Sequence, residues 1–385
     1  MSDHAKGSDR HLDLVTMGCR WVLDVSALEV SAAREMSARW QRCRDLAAST
    51  TVVLDEDPMT ITARTSAAAY DLSRELTRRG LTRLTGRATL LHAAALADEH
   101  GRSLVLVAPS GGGKSTAARV LGQRLGYVSD ESVILLEDHR IAPHPKPPSL
   151  VTDPERPFHK EEPSPEEIGL GPTPPAPWLG RLLTLTRDPQ LAEPSIETVG
   201  VIDQILAILP ETSSTWLLPD GLDRLARAAT AGGAPARLRY AEIASCHDLV
   251  LAHLGRESPD APTWEHVPPV GSQRLEYVAG ALGEDGGEGD DGGEAVADTD
   301  VLVRGHWSDA IAAEGEVLVL AGPRPLRLAG PGAILWRAAV APGRRVDELA
   351  AAVVAELGEH PQARSLVQTA ASDLLRHGAL RRALP

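Results

Sequence analysis

The chain has 385 residues, enough for two or three domains with substantial cores, and a formal net charge of -14 that argues against general binding to nucleic acid or an anionic membrane surface. Cys19, Cys43 and Cys246 are too few and too scattered for a disulfide framework or a metal site and fit a reducing compartment. With no stretch near the roughly 18 apolar residues of a membrane helix and no signal-peptide apolar core, a cytoplasmic protein without nucleic-acid or membrane partners is expected.

In chain order, residues 21–25 and 51–54 read as strands flanking a helix over 32–46, and 59–62 reads as a further short strand. A helix is predicted over 66–79, with Ala69, Leu72 and Leu76 on one face and Gly80 as its C-cap. Residues 90–96 form an apolar strand interrupted by His92, followed by a polar turn at 98–102. A histidine in such a run is often a satisfied core residue. Here it stands beside the stretch around which the chain is organised.

That stretch is 104–116, Leu-Val-Leu-Val-Ala-Pro-Ser-Gly-Gly-Gly-Lys-Ser-Thr. The apolar run suits a buried strand feeding a helix through a Gly-rich turn. Without side chains at Gly111, Gly112 and Gly113, backbone N–H groups can curl into an anion nest, and the helix from Lys114 adds its positive dipole end. In the P-loop pattern G-x-x-x-x-G-K-[ST] the lysine reaches outer phosphates and the next hydroxyl holds magnesium, the roles given to Lys114 and Ser115. Ala108 replaces the first glycine. Candidate nucleotide contacts are thus Ser110, Gly111, Gly112, Gly113, Lys114, Ser115 and Thr116, with ATP and Mg2+ as ligands. Lysine is rare here, at positions 6, 114, 146 and 160 among 39 basic residues, yet it is kept at 114.

Beyond a helix over 114–125, Asp130 and Glu131 follow a short strand about fifteen residues after the lysine. Carboxylates at that place can hold magnesium or take the proton of an attacking hydroxyl. Residues 133–136 continue as a strand. The proline-crowded stretch 143–177 reads as a substrate-facing loop or mobile cover, with His159 and Lys160 as candidates to contact nucleotide or acceptor. A strand over 181–186, helices over 201–209 and 222–229, and a strand from 237 leading into a helix that ends near 254 complete an α/β layer.

Residues 283–300 contain eight acids and almost nothing apolar, and read as a disordered, self-repelling linker between domains 1–282 and 301–385. In the last domain, 316–320 and 325–328 form a predicted hairpin, followed by helices over 332–339, 346–357 and 362–376. The second helix has Val346, Leu349, Val353 and Leu357 at helical spacing. The third has Leu366, Val367, Ala370 and Leu374 inward. This is a winged-helix-like pattern, but ten arginines against eight acids are few for a DNA-binding surface.

His92, the 108–115 loop and Asp130-Glu131 together resemble the HPr kinase/phosphorylase family, whose fold is shared with phosphoenolpyruvate carboxykinase. The resemblance implies serine-directed, nucleotide-dependent phosphotransfer, with Lys114 on phosphate, Ser115 and Asp130 at magnesium, Asp130 as base, Glu131 in place of the second aspartate and His92 in support. The segments from Gly315, from Leu328 to Trp336 and from Leu374 to Leu380 resemble the PqqD family. That resemblance implies binding of the leader of a ribosomally made precursor peptide as an added strand beside 325–328, against the third helix, with Leu326, Leu328, Leu366, Ala370 and Asp373 as contacts. The combined expectation is an α/β P-loop domain plus a winged-helix-like domain, acting as a possible serine kinase on a tethered peptide. The alternative is a non-catalytic scaffold with a degenerate kinase domain that delivers the precursor to separate modifying enzymes.

Overall fold

The structure is a computed structural model, described here for residues 10–65, 69–151, 160–256, 262–270 and 296–383. It is mixed α/β, with several sheets and ten α-helices among the described residues. No helix of the described residues is long and apolar enough to cross a membrane. The chain divides into two compact units, one comprising Met1–Val199, Ala207–Ser213 and Arg227–Ala261, the other Gly200–Leu206, Ser214–Ala226 and Pro262–Pro385.

The first unit centres on a six-stranded sheet with the order Ser195–Thr198, Ala236–Tyr240, Trp178–Arg187, Arg102–Val107, Ala93–Ala97, Gly126–Ser129. Arg102–Val107, Trp178–Arg187 and Ala236–Tyr240 run parallel, and Leu104, Val105, Leu106 and Val107 are each 0% exposed. Burial on both faces explains why this strand reads as an unbroken apolar run. Each such Leu or Val contributes about 1.5–3 kcal/mol.

Ala93–Ala97 pairs antiparallel with Arg102–Val107 through the 98–102 turn. Thr89–Leu91 belongs instead to a second sheet, with the order Thr212–Ser213, Thr89–Leu91, Val133–Leu135, Ile141–Ala142. The expected single strand over 90–96 is therefore two strands in two sheets, divided at His92.

The amino-terminal part differs from expectation in several places. Its three-stranded sheet is His11–Thr16, Cys19–Asp24 and Asp55–Thr62, so residues 51–54 are not a strand, and the expected helix over 32–46 is two helices, Val30–Arg39 and Gln41–Ala47. The next helix runs Ala69–Leu84, straight through Gly80. A Cβ there would lie 2.8 Å from Met17 Sδ, so this glycine permits close packing rather than ending the helix. The expected helix over 114–125 stops at Leu121.

The proline-rich stretch is not a mobile cover where it is described. His144 and Lys146 are 0% and 1% exposed, and Pro143 O accepts from Met17 N at 2.8 Å. His144 sits between Thr16 Oγ1, 2.7 Å from Nδ1, and Thr77 Oγ1, 3.1 Å from Nε2. Burial drives its imidazole well below the usual 6.5, helped by nearby Lys146, so it is a neutral, fully partnered core histidine.

The second unit has a sheet in the order Glu265–His266, Asp309–Ala313, Glu316–Ala321, Arg324–Leu328, with helices Gly330–Ala338, Val346–Leu357 and Ala363–Arg376. It draws on more of the chain than residues 301–385. Residues 283–295 of the expected linker lie outside the described residues, whereas Val296 is 5% exposed in the core and Asp300 O accepts from Val346 N at 3.0 Å. Trp307 and Trp336 meet edge to face at 5.3 Å in that core. One expected inward position turns outward: Leu366 is 48% exposed, and Ala371 instead is fully buried; Leu357, at helical spacing with Val353, is 56% exposed.

Candidate phosphate-binding site

The loop after Arg102–Val107 is shaped by its glycines. Gly111 and Gly113 adopt φ of 78° and 94°, a conformation in which side-chain residues are strained. A Cβ on Gly112 would lie 2.8 Å from Ala108 Cβ and from Pro109 O, and one on Gly113 would lie 2.5 Å from Tyr240 Oη. Ala108 is accommodated where the P-loop pattern has glycine because Gly112 above it has no side chain.

Lys114 opens the Lys114–Leu121 helix and is 6% exposed. Its Nζ donates to Ala108 O and, at 3.3 Å, to Pro109 O, and Glu211 Oε2 lies 3.7 Å away. Burial lowers its pKa, and Glu211 opposes that fall. A lysine folded onto its own loop in this way is a cation held beneath an anion nest.

A cavity of about 460 Å³ opens beside this loop, and its walls include Ser110, Gly111, Gly113, Lys114, Ser115, Thr116, His92, Asp130 and Glu131. The strand–loop–helix thus brings together nearly all the residues expected at the site. Gly112 is absent from the lining and serves the turn. Ser115 and Thr116 are exposed at the helix start, and Asp130 is 5% exposed. Among the described residues no group of three or more His, Cys, Asp or Glu gathers as a metal site. His159 lies outside the described residues.

Five wall residues escape sequence reasoning: Ser73, Arg74, Lys146, Ser149 and Glu162. Lys146 Nζ lies 3.3 Å from Glu131 Oε2 and 3.5 Å from Asp130 Oδ1. Burial pulls the ammonium pKa down, but Asp130, Glu131 and Glu162 together outweigh it, and the net shift is upward. Tyr127 Oη donates to Asp130 Oδ1 at 2.8 Å and to Lys146 O at 3.2 Å. Glu162 accepts from Ser73 Oγ at 2.7 Å and Ser149 Oγ at 2.8 Å, and burial raises its pKa. The scarcity of lysine was a usable signal: two of the four stand in one cavity. Glu211 left none, since it meets His92 across 119 positions of sequence.

In the second unit, Leu326, Leu328 and Ala370 belong to one apolar cluster. Leu366 and Asp373 are exposed, and Asp373 pairs with Arg376 at 2.8 Å.

The first unit is thus an α/β fold whose Gly-rich strand-to-helix loop holds a buried lysine at a polar cavity. No family model matches the chain, and no curated protein matches it. Among solved structures, the HPr(Ser) kinase/phosphatase from Coxiella burnetii aligns at 14% identity with a TM-score of 0.25, over 43% of this chain and 89% of that one. A likeness of that size adds no argument about the site.

Proposed function

We propose that this chain is a recognition protein of ribosomally synthesised peptide natural product biosynthesis. Its first unit binds magnesium ATP and phosphorylates a serine of a precursor peptide, and its 301–385 region holds the leader. The observation that carries the nucleotide half is Lys114, buried under a loop with two left-handed glycines and opening onto a cavity that also contains Asp130 and Glu131. These residues fit a triphosphate: Ser110 to Gly113 receive the phosphate chain, Lys114 neutralises its outer oxygens, Thr116 lies at the rim, and Ser115 with Asp130 holds the magnesium. When bound, the ion neutralises charge on the phosphoryl oxygens.

The leader half is supported by a free sheet edge. Ser308 N donates to Leu320 O, so the backbone of Leu320 faces the Asp309–Ala313 side and its pair with Pro325 is not hydrogen-bonded. By the antiparallel alternation, Pro325 and Arg327 therefore turn their backbone groups outward. Among the described residues no strand pairs with that side. An incoming peptide would be held by Arg327 N–H, Arg327 O and Pro325 O, with Leu326, Leu328, Leu366, Ala370 and Asp373 as side-chain contacts. Tethering the leader raises the effective concentration of the serine at the cavity.

A second reading, a scaffold that delivers the precursor to separate modifying enzymes, is favoured by the engagement of Asp130 Oδ1 with Tyr127 and Lys146. Incubation with ATP, Mg2+ and a serine-containing candidate precursor peptide separates the two by peptide mass. Gain of one phosphate, lost in Lys114→Ala, supports the kinase. Leader binding without mass change supports the scaffold.

A further inference from the structure

Residues 88–97 are buried at every position except His92, whose side chain is 46% exposed and lines the cavity with Lys114 and Ser115. Its amide donates to Glu211 O at 2.7 Å, extending the antiparallel pairing of Leu91 with Thr212. That pairing aligns the side chains, and His92 Nδ1 lies 3.0 Å from Glu211 Oε2. A carboxylate only accepts, so the proton of a neutral imidazole sits on Nδ1 and the lone pair is left on Nε2. Asp130, by contrast, has Oδ1 engaged by Tyr127 Oη and facing a buried ammonium.

We propose that His92 is the group that accepts the proton of the attacking serine hydroxyl, and that Glu211 is the positioning residue that fixes its tautomer. This rests on the phosphotransfer reading above. In the step, the serine oxygen bonds to the terminal phosphorus and the bond from that phosphorus to its bridging oxygen breaks. ADP leaves with the electron pair, and the hydroxyl proton moves to Nε2. The imidazolium so formed is stabilised by Glu211, as in a base oriented by a third group. The other charged groups lining the cavity are Lys114, Lys146, Arg74, Asp130, Glu131 and Glu162.

The test compares the wild-type full chain with His92→Asn and Glu211→Gln, using magnesium-ATP binding, phosphate transfer to the precursor serine, and nitrogen NMR of the ring in ligand-free protein. His92→Asn is expected to lower kcat by about 100-fold or more with nucleotide affinity retained. Glu211→Gln is expected to lower kcat and to spread His92 over both tautomers, because the carboxylate that holds the Nδ1 proton is gone. Wild-type kcat in a folded His92→Asn protein overturns the base assignment while leaving phosphotransfer intact. An unchanged tautomer in Glu211→Gln overturns the positioning role. Absence of any transfer by the wild-type protein overturns the assignment together with the reading beneath it, whatever the NMR shows.

Discussion

Replacing Lys146 with methionine keeps the side-chain length and deletes a charge that is 1% exposed. The ammonium lies 3.5 Å from Asp130 Oδ1 and 3.3 Å from Glu131 Oε2. At an effective dielectric of about 20, each such pair is worth about 5 kcal/mol before desolvation. Glu131 is half exposed and recovers water when the lysine is lost, but Asp130 is 5% exposed and stays buried. The net cost is therefore set by one stranded carboxylate, about 3–5 kcal/mol at neutral pH. The pH dependence has a definite sign. The folded ammonium pKa is raised above its ordinary 10.5, so the stabilisation is fully present below 10.5 and is lost as pH rises through the folded value. Urea unfolding of both proteins at pH 7, 9 and 11 should show a constant gap between the first two and a smaller gap at the last. A methionine variant as stable as wild type at pH 7, or a gap that does not shrink above 10.5, would refute the argument.

Gly113→Ala meets both left-handed strain and Tyr240 Oη, whereas Gly111→Ala has open space around its Cβ. Each should lose about 1–2 kcal/mol from backbone strain, with Gly113→Ala losing more and weakening nucleotide binding at least about tenfold in calorimetry. His144 is buried neutral with its pKa well below 6.5, so stability should fall as pH drops below 6.5, by up to about 1.4 kcal/mol per pH unit. His144→Gln should flatten that slope in chemical unfolding. Arg327→Pro removes the outward N–H and should abolish leader binding by fluorescence anisotropy. Arg327→Ala should bind nearly as wild type, since its exposed ion pairs with Glu316 and Asp203 are worth only about 0–1 kcal/mol.

Much of the chain was legible because the relevant signals are local. The four-residue apolar run, the glycines and Lys114 are contiguous, so the strand, loop, helix and anion nest could be read together, and Asp130 follows within one short connection. The Val346–Leu357 helix came out at its observed ends because its apolar spacing is carried within the segment itself. Errors fell where an element depends on its neighbour. Gly80 looked like a helix end, but Met17 needs the space inside a continuing helix. Leu366 looked inward by spacing, yet Ala371 takes that place. The proline-rich stretch lacks periodicity and reads as a substrate-facing loop or a mobile cover; Thr16, Thr77 and Val128 pin its first residues inside the unit, while Lys146, Ser149 and Glu162 line the cavity.

The sequence by itself determined where a phosphate could be cradled, because backbone conformation and dipole act over a few consecutive residues. Only the tertiary structure decided which charges surround that cradle. Electrostatic interactions depend on distance through space, and strand pairing and burial bring Glu211 to His92 and Lys146 to Asp130 from positions that no local pattern connects.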